Sequence, residues 1–141
     1  PDFEATLRDG TSVSMNDLKG KYVLVDFWGS WCFPCRKSNI KIRELWEEFN
    51  NSTFEQAEGF VIVSIAVEEN DKSWEQAIVQ DKLSWRYHIL DVADNLRFFN
   101  SPLSDLWGVN QVPTTFLIDA KGKILGINLP YSKIHQILQQ G

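Results

Sequence analysis

Cysteine is nearly absent from this sequence, whose 141 residues include only Cys32 and Cys35. Two cysteines three positions apart exclude a fold held together by several disulfides and a zinc site built from four cysteines. No apolar run approaches the ~20 residues that a membrane-spanning helix needs, and the N-terminus lacks the basic and apolar regions of a signal peptide. The chain also opens at Pro1 rather than Met, so we expect a mature or excised form of a longer protein.

Positive charge is scarce as well. The formal net charge is −5 and the pI is about 5.0, which argues against nucleic acid or an anionic membrane surface as the main partner. The 43% hydrophobic content and six tryptophans are typical of a folded globular protein with a buried core. The length predicts a single domain over residues 1–141.

Two apolar runs predict buried strands, Tyr22–Trp28 and Phe60–Val67. Asp26 is the exception within the first run, because a carboxylate is out of place in a strand covered on both faces. From the cysteine pair to about Asn50 the apolar residues recur with helical spacing, which predicts a helix that begins near the cysteines.

The remaining patterns predict shorter elements around these three. They are an N-terminal hairpin over Glu4–Leu7 and Thr11–Ser14, a helix over Ser73–Asp81 with Ser73 as N-cap, a short strand at His88–Leu90, a short helix over Ser101–Trp107 ending at Gly108, a hairpin of Thr115–Ile118 and Lys123–Ile127, and a C-terminal helix over Tyr131–Gln139. The order of elements predicts an α/β fold with a mixed central sheet and helices on both of its faces.

The cysteine spacing suits redox chemistry. Only a thiolate attacks a disulfide, and the predicted position of Cys32, between a strand end and a helix N-terminus, favours negative charge. Pro34 is tolerated in a first helical turn, where its missing N–H would have no partner. Cys35 lies one helical turn further on, where its sulfur can attack a mixed disulfide at Cys32. A pair of buried structural cysteines is the simpler alternative, but it gives no reason for a proline between them.

Two metal or haem alternatives have less support. Covalent haem attachment requires His directly after the second cysteine, and this sequence has Arg36 there. A mixed Cys/His metal site would require the fold to bring His88 or His135 to the cysteine pair. We therefore expect no metal and no other cofactor.

The segment from Val23 to Arg36, VLVDFWGSWCFPCR, resembles the active-site segment of thioredoxins. The whole chain resembles the TlpA/ResA branch of bacterial thioredoxin-like proteins, through the hairpin, the Asp17–Lys21 lead-in and the Val112–Asp119 segment. The resemblance implies a thioredoxin fold with an N-terminal hairpin extension. It also implies thiol–disulfide oxidoreductase activity and a location outside the cytoplasm, either in the periplasm or on a membrane-anchored protein.

The resemblance further implies a substrate-binding surface around the dithiol. In that family the proline corresponding to Pro113 forms a cis peptide bond, here with Val112, and faces the two cysteines. Trp31 and Phe33 would add an apolar rim that a protein substrate touches. With Pro34, these residues make up the predicted substrate-binding surface.

Two carboxylates are candidates for moving the proton of Cys35. Asp26, within an apolar strand, would be desolvated and its pKa raised, which suits a general acid or base. Extracytoplasmic relatives often use a glutamate after the next strand instead, and Glu69 matches that position. Because Glu68 directly precedes Glu69, the alignment does not decide which of the two glutamates holds that position. The alternative to a proton carrier is a pair of solvated glutamates at the strand end.

Together these residues predict an enzyme that reduces protein disulfides and is itself reduced by an upstream thiol donor. The intervening Phe33-Pro34 offers no cation to stabilise the Cys32 thiolate strongly, which favours a reductant over an oxidant. A peroxidase on the same fold is one alternative, although the peroxiredoxin motif Pro-x-x-x-Thr-x-x-Cys is absent. A metal-delivery module using the same cysteine pair is another.

Overall fold

The structure is a computed structural model that describes residues 2–96 and 101–141. Its strands and helices are β1 (Glu4–Thr6), β2 (Ser12–Ser14), a 3₁₀ helix (Met15–Leu18), β3 (Tyr22–Trp28), α1 (Phe33–Phe49), β4 (Phe60–Glu68), α2 (Lys72–Gln80), β5 (Tyr87–Val92), α3 (Pro102–Trp107), β6 (Thr114–Ile118), β7 (Ile124–Ile127) and α4 (Tyr131–Gln140). Among the described residues, no helix combines the length and the apolarity that crossing a bilayer requires.

Strands β3 to β7 form one five-stranded sheet in the order β5-β4-β3-β6-β7, and β1 and β2 form a separate antiparallel hairpin. Strand β3 is central. It pairs in parallel with β4, which requires the crossover through α1, and antiparallel with β6. All seven residues of β3 are buried, so the prediction of a central strand covered on both faces is confirmed.

Successive residues of β3 point to opposite faces of the sheet and divide the core in two. One face carries Leu24 and Trp28 and packs against α1, α2 and α4. The other carries Val25 and Phe27 and packs against the N-terminal hairpin and α3. By the same alternation, Asp26 points to the face that α1 covers, which is also the face of the two cysteines.

Most of the predicted elements are present, including both hairpins and the short helix that ends at Gly108 with a left-handed φ of 69°. The predicted N-cap at Ser73 is wrong. Helix α2 begins at Lys72 and its N-cap is Asp71, whose side chain makes no capping hydrogen bond. The Lys72 N–H donates instead to the side-chain oxygen of Asn70 at 3.1 Å. The predicted strand at His88–Leu90 is the middle of the longer β5. Residues 97–100, for which the sequence patterns predicted no element, lie outside the described residues.

Candidate active site

The two cysteines form a disulfide at the N-terminus of α1, with 5.2 Å between their Cα atoms. Cys32 is the N-cap and has extended backbone angles, φ −98° and ψ 105°. The backbone N–H of Cys35, which has no acceptor within the helix, donates to the Cys32 sulfur at 3.2 Å. Cys32 is 6% exposed and Cys35 is 0% exposed. Cys32 therefore keeps slight exposure to solvent, whereas Cys35 is fully enclosed.

Aromatic side chains surround the more accessible sulfur. Phe33 is 77% exposed and Trp31 is 45% exposed, so both present apolar surface to solvent next to Cys32. The indole N–H of Trp31 donates to the backbone oxygen of Val67 at 2.8 Å, which holds the ring against the end of β4. Trp28 is completely buried in the same cluster as the two cysteines and packs beneath the site.

The loop before β6 approaches the disulfide from the opposite side. The carbonyl oxygen of Val112 lies 4.0 Å from the sulfur of Cys32, although the two residues are 80 positions apart. The peptide bond between Val112 and Pro113 is cis. Both residues are partly exposed, so this loop reaches the surface beside the Cys32 sulfur.

Asp26 lies in the middle of β3 and is fully enclosed. Its side chain is 1% exposed, and neither carboxylate oxygen has a hydrogen-bond partner among the described residues. Desolvation by this burial raises the pKa of Asp26 to about 7. Asp26 is on the face of the sheet that α1 and Cys35 share, and it carries a group that exchanges protons near neutral pH.

Glu68 is a site residue that the sequence analysis did not select. It is the last residue of β4 and is 3% exposed, whereas Glu69 is exposed to solvent. The Glu68 carboxylate accepts the backbone N–H of Ser30 at 2.6 Å and the Ser30 hydroxyl at 2.7 Å. The alternative of a solvated glutamate pair therefore describes Glu69 only. The apolar run of the sequence ends at Val67, so the sequence carried no signal that β4 continues to a buried Glu68.

Burial raises the pKa of Glu68, and the two hydrogen bonds from Ser30 and the charge of Arg36 oppose that rise. Arg36, in the first turn of α1, pairs with Asp81 through two N–H···O contacts of 2.8 and 2.9 Å. Another guanidinium N–H donates to the backbone oxygen of Ser30 at 3.5 Å. The segment before Cys32 is thus bound both to β4 and to the charged groups between α1 and α2.

The two histidines have other surroundings. His88 is buried in β5, its Nε2 lies 2.9 Å from the Leu83 carbonyl oxygen, and desolvation lowers its pKa to about 4, so the imidazole is neutral at pH 7. His135, on α4, contacts Glu48 at 2.9 Å near the surface. Within residues 2–96 and 101–141, no group of three His, Cys, Asp or Glu side chains is arranged to hold a metal ion.

A sequence model of the AhpC/TSA family matches residues 1–127, so this chain belongs to the AhpC/TSA family. It is similar to the thiol-disulfide oxidoreductase ResA of Bacillus thuringiensis (strain Al Hakam), with 30% identity over 125 residues. That match covers 89% of this chain and 64% of the relative, so the chain spans just under two thirds of the relative's length.

Two solved structures extend this similarity to the fold. The thioredoxin domain of a thiol-disulfide oxidoreductase from Bacteroides vulgatus is 29% identical, with a TM-score of 0.78 and coverage of 98% of this chain and 94% of that one. A thiol:disulfide interchange protein from Bacteroides sp. is also 29% identical, with a TM-score of 0.77 and coverage of 99% and 87%. The chain therefore has a thioredoxin fold with a mixed central sheet and an N-terminal hairpin, as the sequence predicted.

Proposed function

We propose that this member of the AhpC/TSA family exchanges electrons with protein disulfides through Cys32 and Cys35. The observation that carries the proposal is the pair's position. The two cysteines form a disulfide at a helix N-terminus, where Cys32 keeps slight exposure and Cys35 is fully enclosed one turn away. A structural disulfide gains nothing from such a position, whereas a nucleophilic thiolate is stabilised there.

In the reduced protein, the Cys32 thiolate attacks one sulfur of a substrate disulfide. A mixed disulfide forms and the other substrate sulfur leaves as a thiolate. The Cys35 thiolate then attacks the Cys32 sulfur, which restores the Cys32–Cys35 disulfide and releases the second substrate thiolate. Two electrons pass from the dithiol to the substrate, so a thiol donor must reduce the pair again before the next cycle.

The substrate lies across the surface made by the aromatic rim and the loop before β6. An extended substrate segment pairs with the exposed backbone of Val112 and Pro113, next to the sulfur that it must reach. Trp31, Phe33 and Pro34 supply apolar contacts on the other side of Cys32. Backbone pairing and apolar contact are tolerant of sequence, which suits a protein substrate whose disulfide is the group recognised.

Asp26 carries the proton of Cys35 during the second step. Burial has raised its pKa to about 7, so it can accept a proton from the thiol and return it at neutral pH. Glu69, the other candidate from the sequence, is exposed to solvent beyond the end of β4. A proton carrier for an enclosed sulfur must itself be enclosed, which favours Asp26.

The direction of electron flow is towards the substrate, because no cation lies between the cysteines to stabilise the thiolate as strong oxidants do. We place the activity outside the cytoplasm, on the basis of the resemblance to the TlpA/ResA branch. The solved relatives that match nearly the whole chain are named as a thiol-disulfide oxidoreductase and a thiol:disulfide interchange protein, which supports the same chemistry.

Cysteine variants test the proposal directly. Cys32→Ser should abolish reduction of insulin disulfides by the dithiothreitol-reduced protein, because no nucleophile remains. Cys35→Ser should instead accumulate a mixed disulfide with insulin, visible as a mass increase by intact-protein mass spectrometry. Trapping by Cys32→Ser and not by Cys35→Ser would reverse the two roles, and wild-type protein without insulin reduction would refute the function.

A peroxidase is the second candidate, because the AhpC/TSA family match includes the active-site segment. The residues argue against it. Val25 and Gly29 stand where the peroxiredoxin motif has proline and threonine relative to Cys32. A Cβ atom at position 29 would lie 2.6 Å from Cε2 of Trp31, so a threonine does not fit beside this tryptophan. Peroxide consumption measured beside insulin reduction distinguishes the two candidates.

A further inference from the structure

The two residues directly before Cys32 are bound to two consecutive residues of β4. The Trp31 indole N–H reaches the backbone oxygen of Val67, and the backbone N–H and hydroxyl of Ser30 both reach the Glu68 carboxylate. The Ser30 carbonyl faces the Arg36 guanidinium from the other side. Every polar group of Ser30 therefore has a partner, and those partners belong to β4 and α1 rather than to the loop itself.

The geometry of Glu68 suits an ionised carboxylate. Each of its two oxygens accepts a hydrogen bond, at 2.6 and 2.7 Å, and such short contacts are typical of bonds with a charged acceptor. The compensating positive charge is on Arg36, which Asp81 holds in place through two contacts. Both oxygens of the Glu68 carboxylate thus accept hydrogen bonds, whereas those of Asp26 accept none among the described residues.

We propose that Glu68 is a positioning residue for Cys32. By binding both donors of Ser30, it fixes the turn that delivers Cys32 to the N-cap of α1, with the sulfur 3.2 Å from the Cys35 nitrogen. The inference rests on the proposed function, because it assigns to Glu68 the placement of the nucleophile of that reaction. Among the described residues, Glu68 makes no hydrogen bond with either cysteine, and it acts through Ser30.

Two roles of Glu68, holding the turn or only adding negative charge, predict opposite changes in how easily the Cys32 thiolate forms when Glu68 is replaced. If the carboxylate only adds negative charge near the site, its removal makes the Cys32 thiolate easier to form. If it holds the turn, its removal lets the sulfur leave the helix N-terminus, and the thiolate becomes harder to form. Ser30→Ala separates the two effects further, because it removes one hydrogen bond and leaves the charge of Glu68 in place.

The test measures the rate of Cys32 alkylation by iodoacetamide against pH on reduced, folded protein, together with the equilibrium of the pair with a glutathione series. We expect Glu68→Ala and Ser30→Ala to move the alkylation midpoint to higher pH. Both should also shift the glutathione equilibrium towards the disulfide, by about tenfold for the two hydrogen bonds lost in Glu68→Ala and about threefold for the one lost in Ser30→Ala. Ser30→Thr keeps the hydroxyl and should stay within about twofold of wild type.

Glu55→Ala is the matched control, since it removes the same side chain and charge from an exposed residue on the segment that leads into the start of β4, at the opposite end of the strand from Glu68. A lower alkylation midpoint in Glu68→Ala, or unchanged midpoints in both Ser30→Ala and Glu68→Ala, would overturn the inference. If Glu68→Ala does not fold, Ser30→Ala and Ser30→Thr decide alone. The alkylation readout needs no substrate, so a failure of the proposed function in the insulin assay is seen separately.

Discussion

Two buried carboxylates on neighbouring parallel strands have opposite surroundings. Asp26 in β3 has no hydrogen-bond partner among the described residues, whereas Glu68 at the end of β4 accepts two hydrogen bonds from Ser30. Burial raises the pKa of both groups. The two groups differ in whether hydrogen-bond donors reach the carboxylate. A buried acid without donors keeps its proton to neutral pH and can transfer it, whereas a buried acid with donors is held as an acceptor.

The position of each residue along its strand explains the difference in donors. Asp26 is in the middle of β3, where backbone N–H and C=O groups are used by the ladders to β4 and β6. No backbone donor is left over for its side chain. Glu68 ends β4 beside the turn that follows β3, and there the N–H of Ser30 is outside the sheet and needs an acceptor.

Asp26→Asn should produce the largest effect, a change in how stability depends on pH. The unfolded chain loses this proton near pH 3.8 and the folded chain near pH 7, so the folded state binds the extra proton between these values. The wild-type free energy of unfolding therefore falls as pH rises through that window, by about 4 kcal/mol at about 1.36 kcal/mol per pH unit. The variant lacks this loss and should be the more stable protein at pH 8.

Urea unfolding of wild type and Asp26→Asn at pH 4, 6 and 8 measures this difference. Other groups, including His88 with its pKa lowered to about 4, titrate equally in both proteins and cancel in the comparison. A difference in unfolding free energy that does not change between pH 4 and 8 would show that Asp26 is ionised throughout, and would remove it as proton carrier.

Glu68→Ala should lower the free energy of unfolding, and this change should be smaller than the one expected for Asp26→Asn. It leaves the buried N–H and hydroxyl of Ser30 without their acceptor, which costs about 2–3 kcal/mol. Urea unfolding of the oxidised protein measures the loss, with Glu55→Ala as the exposed control, for which we expect less than about 0.5 kcal/mol. If Glu68→Ala is as stable as wild type, Glu68 does not anchor the turn and the contrast with Asp26 disappears.

The smallest expected effect concerns the rate of the second chemical step. Asp26→Asn should slow release of the substrate from the mixed disulfide by roughly tenfold near pH 7, because water then has to carry the proton of Cys35. Quenched-flow mass spectrometry of the mixed disulfide follows this step. Glu69→Gln, which alters an exposed group, should leave its pH profile superimposable on wild type. A slowed step in Glu69→Gln alone would assign proton transfer to Glu69.

Much of the fold followed from local patterns. The apolar run Tyr22–Trp28 required a central strand, and the helix after the cysteines followed from its spacing and from Pro34 in the first turn. The error at the start of α2 has a local cause too, because the N-cap is Asp71, two residues earlier, and the Asn70 side chain accepts the N–H of the first helical residue. Competing caps within a few residues differ little in sequence, and the surrounding packing selects one.

The sequence by itself determined the chemistry at the start of α1, because the thiol pair, the proline and the strand-to-helix junction are contiguous from Val23 to Arg36. It also determined that Asp26 is desolvated, since every neighbour in its strand is apolar. Only the tertiary structure decided that Glu68 rather than Glu69 turns inward to Ser30, 38 positions away, and that the Val112 carbonyl comes within 4.0 Å of Cys32. The physical reason is that β4 is buried on both faces and ends at Glu68, so its last side chain is enclosed while the next residue lies beyond the strand in solvent.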